Sequence, residues 1–354
     1  MASLVSSPSA VEMRTPARLH LGMLSFGVPG VRSHGGLGVM IDRPGVHLRM
    51  AKADSFTATG PLADRAEAFA RACQVAWGLG PQEACAIEVL AVPASHAGFG
   101  SGTQLGLAVA AGMRRLYPSS DAAASGAIDA TNRETTFDAA AAIALARGVG
   151  RGRRSCVGIY GFGGGGLILE GGRLPAGASG DAGFSPLVAR VMLPEEWRCV
   201  VFTLRDVAGL HGDAERQAFA TLPPVPRETS AELARIALLE LIPAAVEGHF
   251  AEFAGAVTRY GRLAGAPFAP VSSQLPYAAI TERLLVHLTA CGAQGAAQSS
   301  WGPTVMACAE SQAEAEAIRE RLAGGELAGS YDTLIARFES RGAVLRDLHR
   351  QDEA

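Results

Sequence analysis

The chain has 354 residues, 48% of them hydrophobic and 18% charged, which suits one large globular domain or two ordinary ones with a core that needs no covalent staples. A formal net charge of -3 excludes a global basic field for nucleic acid or an anionic membrane, while leaving room for a local anion site. Cys73, Cys85, Cys156, Cys199, Cys291 and Cys308 form no CxxC pair, so they read as scattered buried thiols in a reducing compartment rather than a zinc site. With neither a secretory signal pattern nor an apolar run of membrane-spanning length, a soluble cytoplasmic protein with no membrane partner is expected. Lys52 is the sole lysine among 31 basic residues, so a mechanism that needs a lysine at a phosphate site is excluded.

In chain order, residues 1–12 are small and polar and read as a disordered start. An extended segment follows from Met13 to Leu24, interrupted by Pro16. Apolar runs at Val39–Ile41 and Val46–Met50 flank the turn Arg43-Pro44-Gly45 and predict a hairpin. Ala63–Trp77 reads as a helix, Glu83–Val92 as a strand, Leu105–Leu116 as a buried helix and Thr136–Arg147 as another helix. Strand-like runs on either side of Gly163–Gly166 predict a second hairpin over Ser155–Gly172. The Gly/Ala/Pro-rich passage from Gly171 to Pro186 reads as a linker, placing a boundary between domains 13–185 and 186–354.

The second half carries strands at Val188–Leu193, Arg198–Leu204 and Val305–Cys308. Capping boxes at Thr229-x-x-Glu232 and Ser311-x-x-Glu314 open helices. Helical spacing recurs at Leu233, Ile236, Ala237 and Leu241, at Phe250, Phe253, Val257 and Tyr260, and at Tyr277, Ile280, Leu284 and Leu288. Hairpins mixed with helices, rather than repeated βαβ units, predict an α+β protein in two lobes.

The segment with chemical content is the loop from Pro93 to Gln104, between a predicted strand and a predicted helix. Gly98, Gly100 and Gly102 let backbone N–H groups turn toward an anion, the helix start adds partial positive charge, and Ser101 and Thr103 add hydroxyls. A chain with 43 glycines carries chance glycine runs, so it is the strand-to-helix placement that points to phosphate. No GKS or GKT follows, so this is not a Walker loop. Arg18 and His20 share one face of an extended strand, either toward a ligand or toward solvent. Arg151, Arg153 and Arg154 form a basic cluster before Ser155, either a solvated loop or an anion clamp. Gln298-Ser299-Ser300-Trp301-Gly302-Pro303-Thr304 is a polar run with an embedded tryptophan, either a packing turn or part of a site.

These segments, in this order, resemble the GHMP kinase superfamily across nearly the whole chain. Pro16–Gly22 is similar to its N-terminal strand motif, Pro93–Gly102 to its phosphate loop and Gly292–Pro303 to its C-terminal glycine-rich segment. The resemblance implies a GHMP-kinase-like two-lobed α+β fold, ribosomal-S5-like in the N-terminal lobe and ferredoxin-like in the C-terminal lobe. The match departs from the superfamily's kinases at Ser155-Cys156-Val157-Gly158, where Gly158 stands in place of the catalytic aspartate, and at Ser300-Trp301 in the third motif. Gly100–Leu105, Gly152–Ser155 and above all Gln298–Thr304 look like the β-ribofuranosylaminobenzene 5′-phosphate synthase family of tetrahydromethanopterin biosynthesis.

That resemblance implies condensation of 4-aminobenzoate or 4-hydroxybenzoate with phosphoribosyl diphosphate, with loss of carbon dioxide and diphosphate. Expected catalytic residues are Arg18, His20 and Arg154. Expected substrate and phosphate contacts are Gly98, Gly100, Ser101, Gly102, Thr103, Gln104, Arg151, Ser155, Gln298, Ser299, Ser300 and Trp301, with Trp301 stacking on the aromatic ring. Mg²⁺ is the expected cofactor, held mostly by the diphosphate, with Asp42 and Glu215 as candidate ligands; no organic cofactor is needed. The partners expected are small-molecule substrates and a second copy of the chain, with no nucleic acid. The competing readings are an ATP-dependent small-molecule kinase and a non-catalytic ligand sensor on the same fold.

Overall fold

The computed structural model describes residues 7–118, 134–174, 183–207, 209–210, 212–325 and 327–348. The chain runs β1 (Ala10–Arg14), β2 (Ala17–Met23), β3 (Gly36–Ile41), β4 (His47–Ala53), β5 (Thr57–Thr59), α1 (Ala63–Ala76), β6 (Ala84–Ala91), α2 (Ser101–Leu116), β7 (Glu134–Thr135), α3 (Ala139–Gly148), α4 (Val157–Phe162), β8 (Leu167–Glu170) and β9 (Leu187–Val191). It continues with β10 (Arg198–Leu204), α5 (Gly212–Thr221), α6 (Arg227–Ile236), α7 (Ile242–Glu247), α8 (Phe250–Gly265), α9 (Ala269–Ser272), α10 (Ala278–Ala290), β11 (Gln294–Gln298), β12 (Thr304–Ala309), α11 (Gln312–Ala323), β13 (Tyr331–Arg337) and β14 (Val344–Leu348). A π-helical turn, Ala237–Leu241, joins α6 to α7.

Three sheets organise these elements, with strand orders β5-β6-β4-β1-β14-β7, β2-β3-β8-β9 and β11-β12-β10-β13. The first packs on α1 to α4 around one core. The third is covered on both faces, and β10 shows why its sequence is almost unbroken apolar. Cys199 and Val201 point into the core shared with the second sheet and α6 to α8, while Val200, Phe202 and Leu204 point toward α10 and α11. Strand pairing crosses the boundary expected at residue 185 repeatedly: β9 pairs with β8, and β14 returns to pair with β1 and β7. Residues 175–182 of the expected linker lie outside the described residues.

Several local expectations are corrected. Residues 10–12, expected in an unstructured start, belong to β1, which is flanked on both sides by β4 and β14; residues 1–6 lie outside the described residues. The runs around Arg43–Gly45 do not form a hairpin. β3 pairs with β2 and β8, and β4 pairs with β1 and β6, so the turn carries the chain from one sheet to another. Thr15 receives it: the Thr15 N–H donates to Val46 O at 2.9 Å and the Val46 N–H to Thr15 Oγ1 at 3.3 Å. The apolar run Val157–Phe162, expected as a strand, is the helix α4, because a short buried run carries no decisive period. Gly158 and Gly161 stand one turn apart there, and a Cβ on Gly161 would lie 2.1 Å from Met40 Sδ, so the helix can approach β3 only as glycine. The helix expected to open at a Thr229 capping box starts three residues earlier, at Arg227 after Pro226, whereas Ser311 caps α11 as expected by accepting from the Glu314 N–H.

Asp42, a candidate metal ligand, is a structural carboxylate at the end of β3. Its Oδ1 accepts the Arg337 N–H at 2.9 Å, and its own N–H donates to Arg337 O at 3.0 Å, stitching β3 to β13. Asp42→Ala should therefore lower unfolding stability by about 1–3 kcal/mol in a denaturant titration while leaving turnover at the wild-type value; lost turnover in a folded Asp42→Ala protein would contradict this placement.

Candidate active site

Three segments far apart in sequence meet along one backbone seam. In β2, Ala17, Leu19 and Leu21 are buried in the shared core, so strand alternation turns Arg18 and His20 to the other face. The Arg18 N–H donates to Phe99 O at 2.9 Å, binding β2 to the glycine loop. The Ser300 N–H donates to His20 O at 2.9 Å, binding β2 to the 299–302 turn. Ser299 closes the triangle: its hydroxyl accepts the His20 N–H at 3.0 Å and donates to Gly98 O at 2.8 Å. A Cβ at Gly302 would sit 2.4 Å from Ala97 O and 2.6 Å from the Gly98 nitrogen, so the turn and the loop touch backbone to backbone.

The seam presents the start of α2 to a cavity. Gly98 and Gly100 have φ of 100° and 71°, values that favour glycine, and Gly100 precedes the first helical residue, Ser101. The first turn has no acidic residue and no side-chain cap, so its N–H groups and partial positive charge face the cavity. The cavity measures about 660 Å³, and arginines dominate its polar lining: Arg18, Arg65, Arg151, Arg153, Arg154 and Arg216. Glu215 is the one carboxylate among its described lining residues. Arg154 pairs with it at 2.6 Å and lies over the Phe219 ring at 5.1 Å.

Burial tunes these groups. Arg18 is pushed down to about 10 by burial, a loss partly restored by Glu170 and Glu215. Arg151 is pushed down to about 10 by burial and then by the charges of Arg65 and Arg153. Both guanidiniums are short of counter-charge, and an anion in the cavity would supply it. Glu170, fully buried behind the cavity, accepts the Cys156 N–H at 2.8 Å and so anchors the chain that follows the arginine cluster. Burial, followed by the charge of Arg18, drives His20 well below the usual imidazole range, so His20 is neutral, and its Nε2 is buried with no partner.

Most of the expected residues converge here: Arg18, His20, Gly98, Gly100, Ser101, Gly102, Thr103, Arg151, Arg154, Ser155, Ser300, Trp301 and Glu215 all line the cavity. Three do not. Gln104 is buried and donates to Gly158 O at 2.8 Å, tying α2 to α4. Ser299 is buried in the seam, and Gln298 donates to Gly302 O at 3.0 Å, shaping the turn. Trp301 lines the cavity but is already stacked: Phe219 covers one ring face at 4.9 Å and Phe268 meets it edge-on at 5.2 Å. Nothing in the sequence around Arg65 marked it. It reaches from α1 over the start of α2, where a Cβ on Gly102 would come 2.5 Å from its Nη2. Arg65 and Arg151 also share the Phe69 ring, at 5.8 and 4.9 Å from its centroid.

Position 158 faces the same site. A Cβ there would lie 3.4 Å from Gln104 Nε2, 3.7 Å from Thr103 Cγ2 and 4.0 Å from Arg18 Cβ, so the glycine leaves the site without a carboxylate at that point. Among the described residues no three His, Cys, Asp or Glu side chains gather as a metal cage, and no helix is long and apolar enough to cross a membrane.

A two-lobed α+β architecture whose glycine-rich strand-to-helix loop opens on an arginine-lined cavity defines the class as GHMP-kinase-like, and solved structures agree on the fold. A homoserine kinase from Cytophaga hutchinsonii superposes with a TM-score of 0.63 at 14% identity, covering 98% of this chain and 100% of its own. A mevalonate pyrophosphate decarboxylase from Streptococcus pyogenes does so with a TM-score of 0.63 at 11% identity, covering 94% and 98%. No protein-family model matches the chain. Sequence relatives are more specific. A β-ribofuranosylphenol 5′-phosphate synthase from Archaeoglobus fulgidus is 30% identical over 261 residues, which is 72% of this chain and 76% of that protein. The synthase of the same name from Methanothermobacter thermautotrophicus is 29% identical over 309 residues, covering 83% and 87%. The chain belongs to this family of synthases, and is an enzyme.

Two predictions follow from the site. Arg65→Ala should weaken binding of inorganic diphosphate at least tenfold, about 1.4 kcal/mol, in a calorimetric titration; unchanged affinity would remove Arg65 from the anion site. The second concerns pH. Because folded His20 resists protonation, the unfolded chain binds the extra proton once pH falls below about 6.5. Stability contributed by neutral His20 is present above that pH and lost as pH falls below it. His34, lowered by burial, Arg154 and Arg173, acts in the same direction, and Glu170, raised by burial, acts in the opposite one. The difference between wild type and His20→Gln isolates the term: the wild-type advantage should shrink from pH 7 to pH 5, and a constant difference would mean that His20 titrates normally.

Proposed function

We propose that the enzyme condenses phosphoribosyl diphosphate with a para-substituted benzoate, 4-hydroxybenzoate or 4-aminobenzoate, releasing carbon dioxide and diphosphate and leaving a ribosyl phosphate joined to the ring by a carbon–carbon bond. The observation that carries this reading is the cavity itself: six arginines and a bare helix start face one carboxylate, a lining suited to a substrate with phosphate at two ends. The relatives' names, which specify a ribofuranosylphenol 5′-phosphate product, supply the acceptor's chemical class.

The bookkeeping of the reaction fits a site without a general base. The bond from ribose C1′ to the diphosphate oxygen breaks, and diphosphate leaves with the electron pair. The ring carbon bearing the carboxylate attacks C1′, and the positive charge spreads to the para oxygen or nitrogen. The ring–carboxylate bond then breaks, its electrons restore aromaticity, and carbon dioxide departs. No net proton is transferred, so Gly158 in place of an aspartate costs nothing here, whereas it would leave an ATP-dependent kinase without a proton acceptor.

The enzyme's task is to stabilise a departing anion beside a developing ribosyl cation. The Ser101 and Gly102 amides at the helix start, with Arg65 and Arg151, hold one phosphate-bearing end; Arg18, Arg153 and Arg154 hold the other. Neutral His20 borders the reacting centre without adding positive charge there. The lining suits Mg²⁺ carried in on the diphosphate oxygens, with Glu215 as the one carboxylate among the described lining residues, and does not suit a cage built from protein ligands. Such an ion would neutralise the leaving group.

The test is release of label from carboxyl-labelled 4-hydroxybenzoate and 4-aminobenzoate in the presence of phosphoribosyl diphosphate and Mg²⁺. The wild type should release labelled carbon dioxide, and Arg154→Ala should lower the rate by ~10²–10³ with an unchanged fold by circular dichroism. Binding of both substrates without label release would sink the reading in favour of a sensor, and ATP consumption would favour a kinase.

A further inference from the structure

A second cavity of about 370 Å³ lies behind the 299–302 turn, between β2, α8 and α10. We propose that it receives the aromatic ring of the acceptor, so that the two substrates occupy adjoining cavities and meet where the linings join, at His20, Met23, Ser300 and Trp301. This inference rests on the condensation proposed above and places one of its substrates.

Four observations carry it. First, His20, Met23, Ser300 and Trp301 line both cavities, so the second adjoins the cavity assigned above to the ribosyl donor. Second, the linings differ in kind. The larger cavity is walled by arginines, whereas the smaller is built mainly from small and aliphatic residues, with a volume at the low end of the ~300–1,000 Å³ usual for small-molecule sites. Third, the wall holds two buried polar atoms with no partner, His20 Nε2 and Trp301 Nε1, and it contains Ser300 at φ 53°, a strained conformation for a residue with a side chain. Fourth, the stacking face that Trp301 would offer a ring in the larger cavity is filled by Phe219, so an aromatic acceptor finds no open indole there.

Two glycines at the edge of this cavity permit close packing. A Cβ on Gly22, at the bulge of β2, would lie 2.3 Å from Ala264 Cβ, and one on Gly261 would lie 2.9 Å from Ala297 Cβ. These contacts let α8 sit close to β2 and β11 beside the cavity. The acceptor would enter with its para substituent directed into the slot and its carboxylate-bearing carbon at the wall. There the carboxylate meets His20 and Arg18, and the carbon faces ribose C1′. Carbon dioxide then leaves on the arginine side, beside the diphosphate. His20 and Trp301, each with a buried unpartnered nitrogen, stand in the lining that the two cavities share.

The test fills the slot without touching the arginine cavity. Thr258 on α8 lines only the smaller cavity, and Thr289 on α10 stands exposed at its rim. Thr258→Phe should raise the KM for 4-hydroxybenzoate at least tenfold while leaving the calorimetric Kd for phosphoribosyl diphosphate unchanged. Thr289→Phe, whose exposed position spares the fold, should act in the same direction. Acceptor KM unchanged in both variants, or donor Kd weakened as much as acceptor KM, overturns the proposal. Direct calorimetric titration of 4-hydroxybenzoate separates the two readings. If the wild type releases no carbon dioxide, the condensation fails, yet the cavity assignment stands where the wild type binds 4-hydroxybenzoate and Thr258→Phe does not. It falls where both bind it equally or neither binds it.

Discussion

The site depends on one hydroxyl. Ser299 Oγ accepts from the His20 N–H and donates to Gly98 O, with no exposure to solvent. Strand β2, the glycine loop and the 299–302 turn come from parts of the chain about 80 and 200 residues apart, and each needs backbone partners that it cannot find within itself. Locked together, they fix the start of α2 relative to Arg18 and place the 299–302 turn as a partition between two cavities. An apolar side chain at 299 would leave a donor and an acceptor buried and unpaired, so the position serves folding and geometry at once.

Charge is arranged in layers around that seam. Arginines from α1, the 150–154 segment and α5 face the larger cavity, while the carboxylate of Glu170 sits behind it, fully buried and bonded to the Cys156 N–H. Glu170 behind the wall, Glu215 at the rim and Asp213 paired with Arg216 are too few for six guanidiniums. The imbalance is what a polyanionic ligand would complete, and it explains why burial lowers Arg18 and Arg151 from the usual arginine range. Replacing the superfamily's aspartate by Gly158 is consistent with this design, since a carboxylate at that point would oppose the same anion.

Much of this was legible before the structure. The two lobes, the loop at a strand-to-helix junction and the shared face of Arg18 and His20 follow from periodicity and from glycine placement. What stayed hidden was tertiary. Arg65 is one charged residue on an ordinary amphipathic helix, and only the packing of α1 against the start of α2 brings it to the arginine-lined cavity. Val157–Phe162 carries no period that separates helix from strand, and Gly161 against Met40 settles the matter through a close approach that sequence does not display. Trp301 looked available for stacking because no local signal shows that Phe219, from α5, already covers it. Gln104 sat within the glycine motif, yet the turn of α2 points it inward to Gly158 O.

The central claim is that the amides opening α2 grip a phosphate of the ribosyl donor while arginines flank it. A crystal structure with phosphoribosyl diphosphate and Mg²⁺ tests it most directly. The account predicts phosphate oxygens within hydrogen-bond distance of the Ser101 and Gly102 nitrogens and of the Arg65 guanidinium. Donor density elsewhere, with that helix start bare, would contradict it.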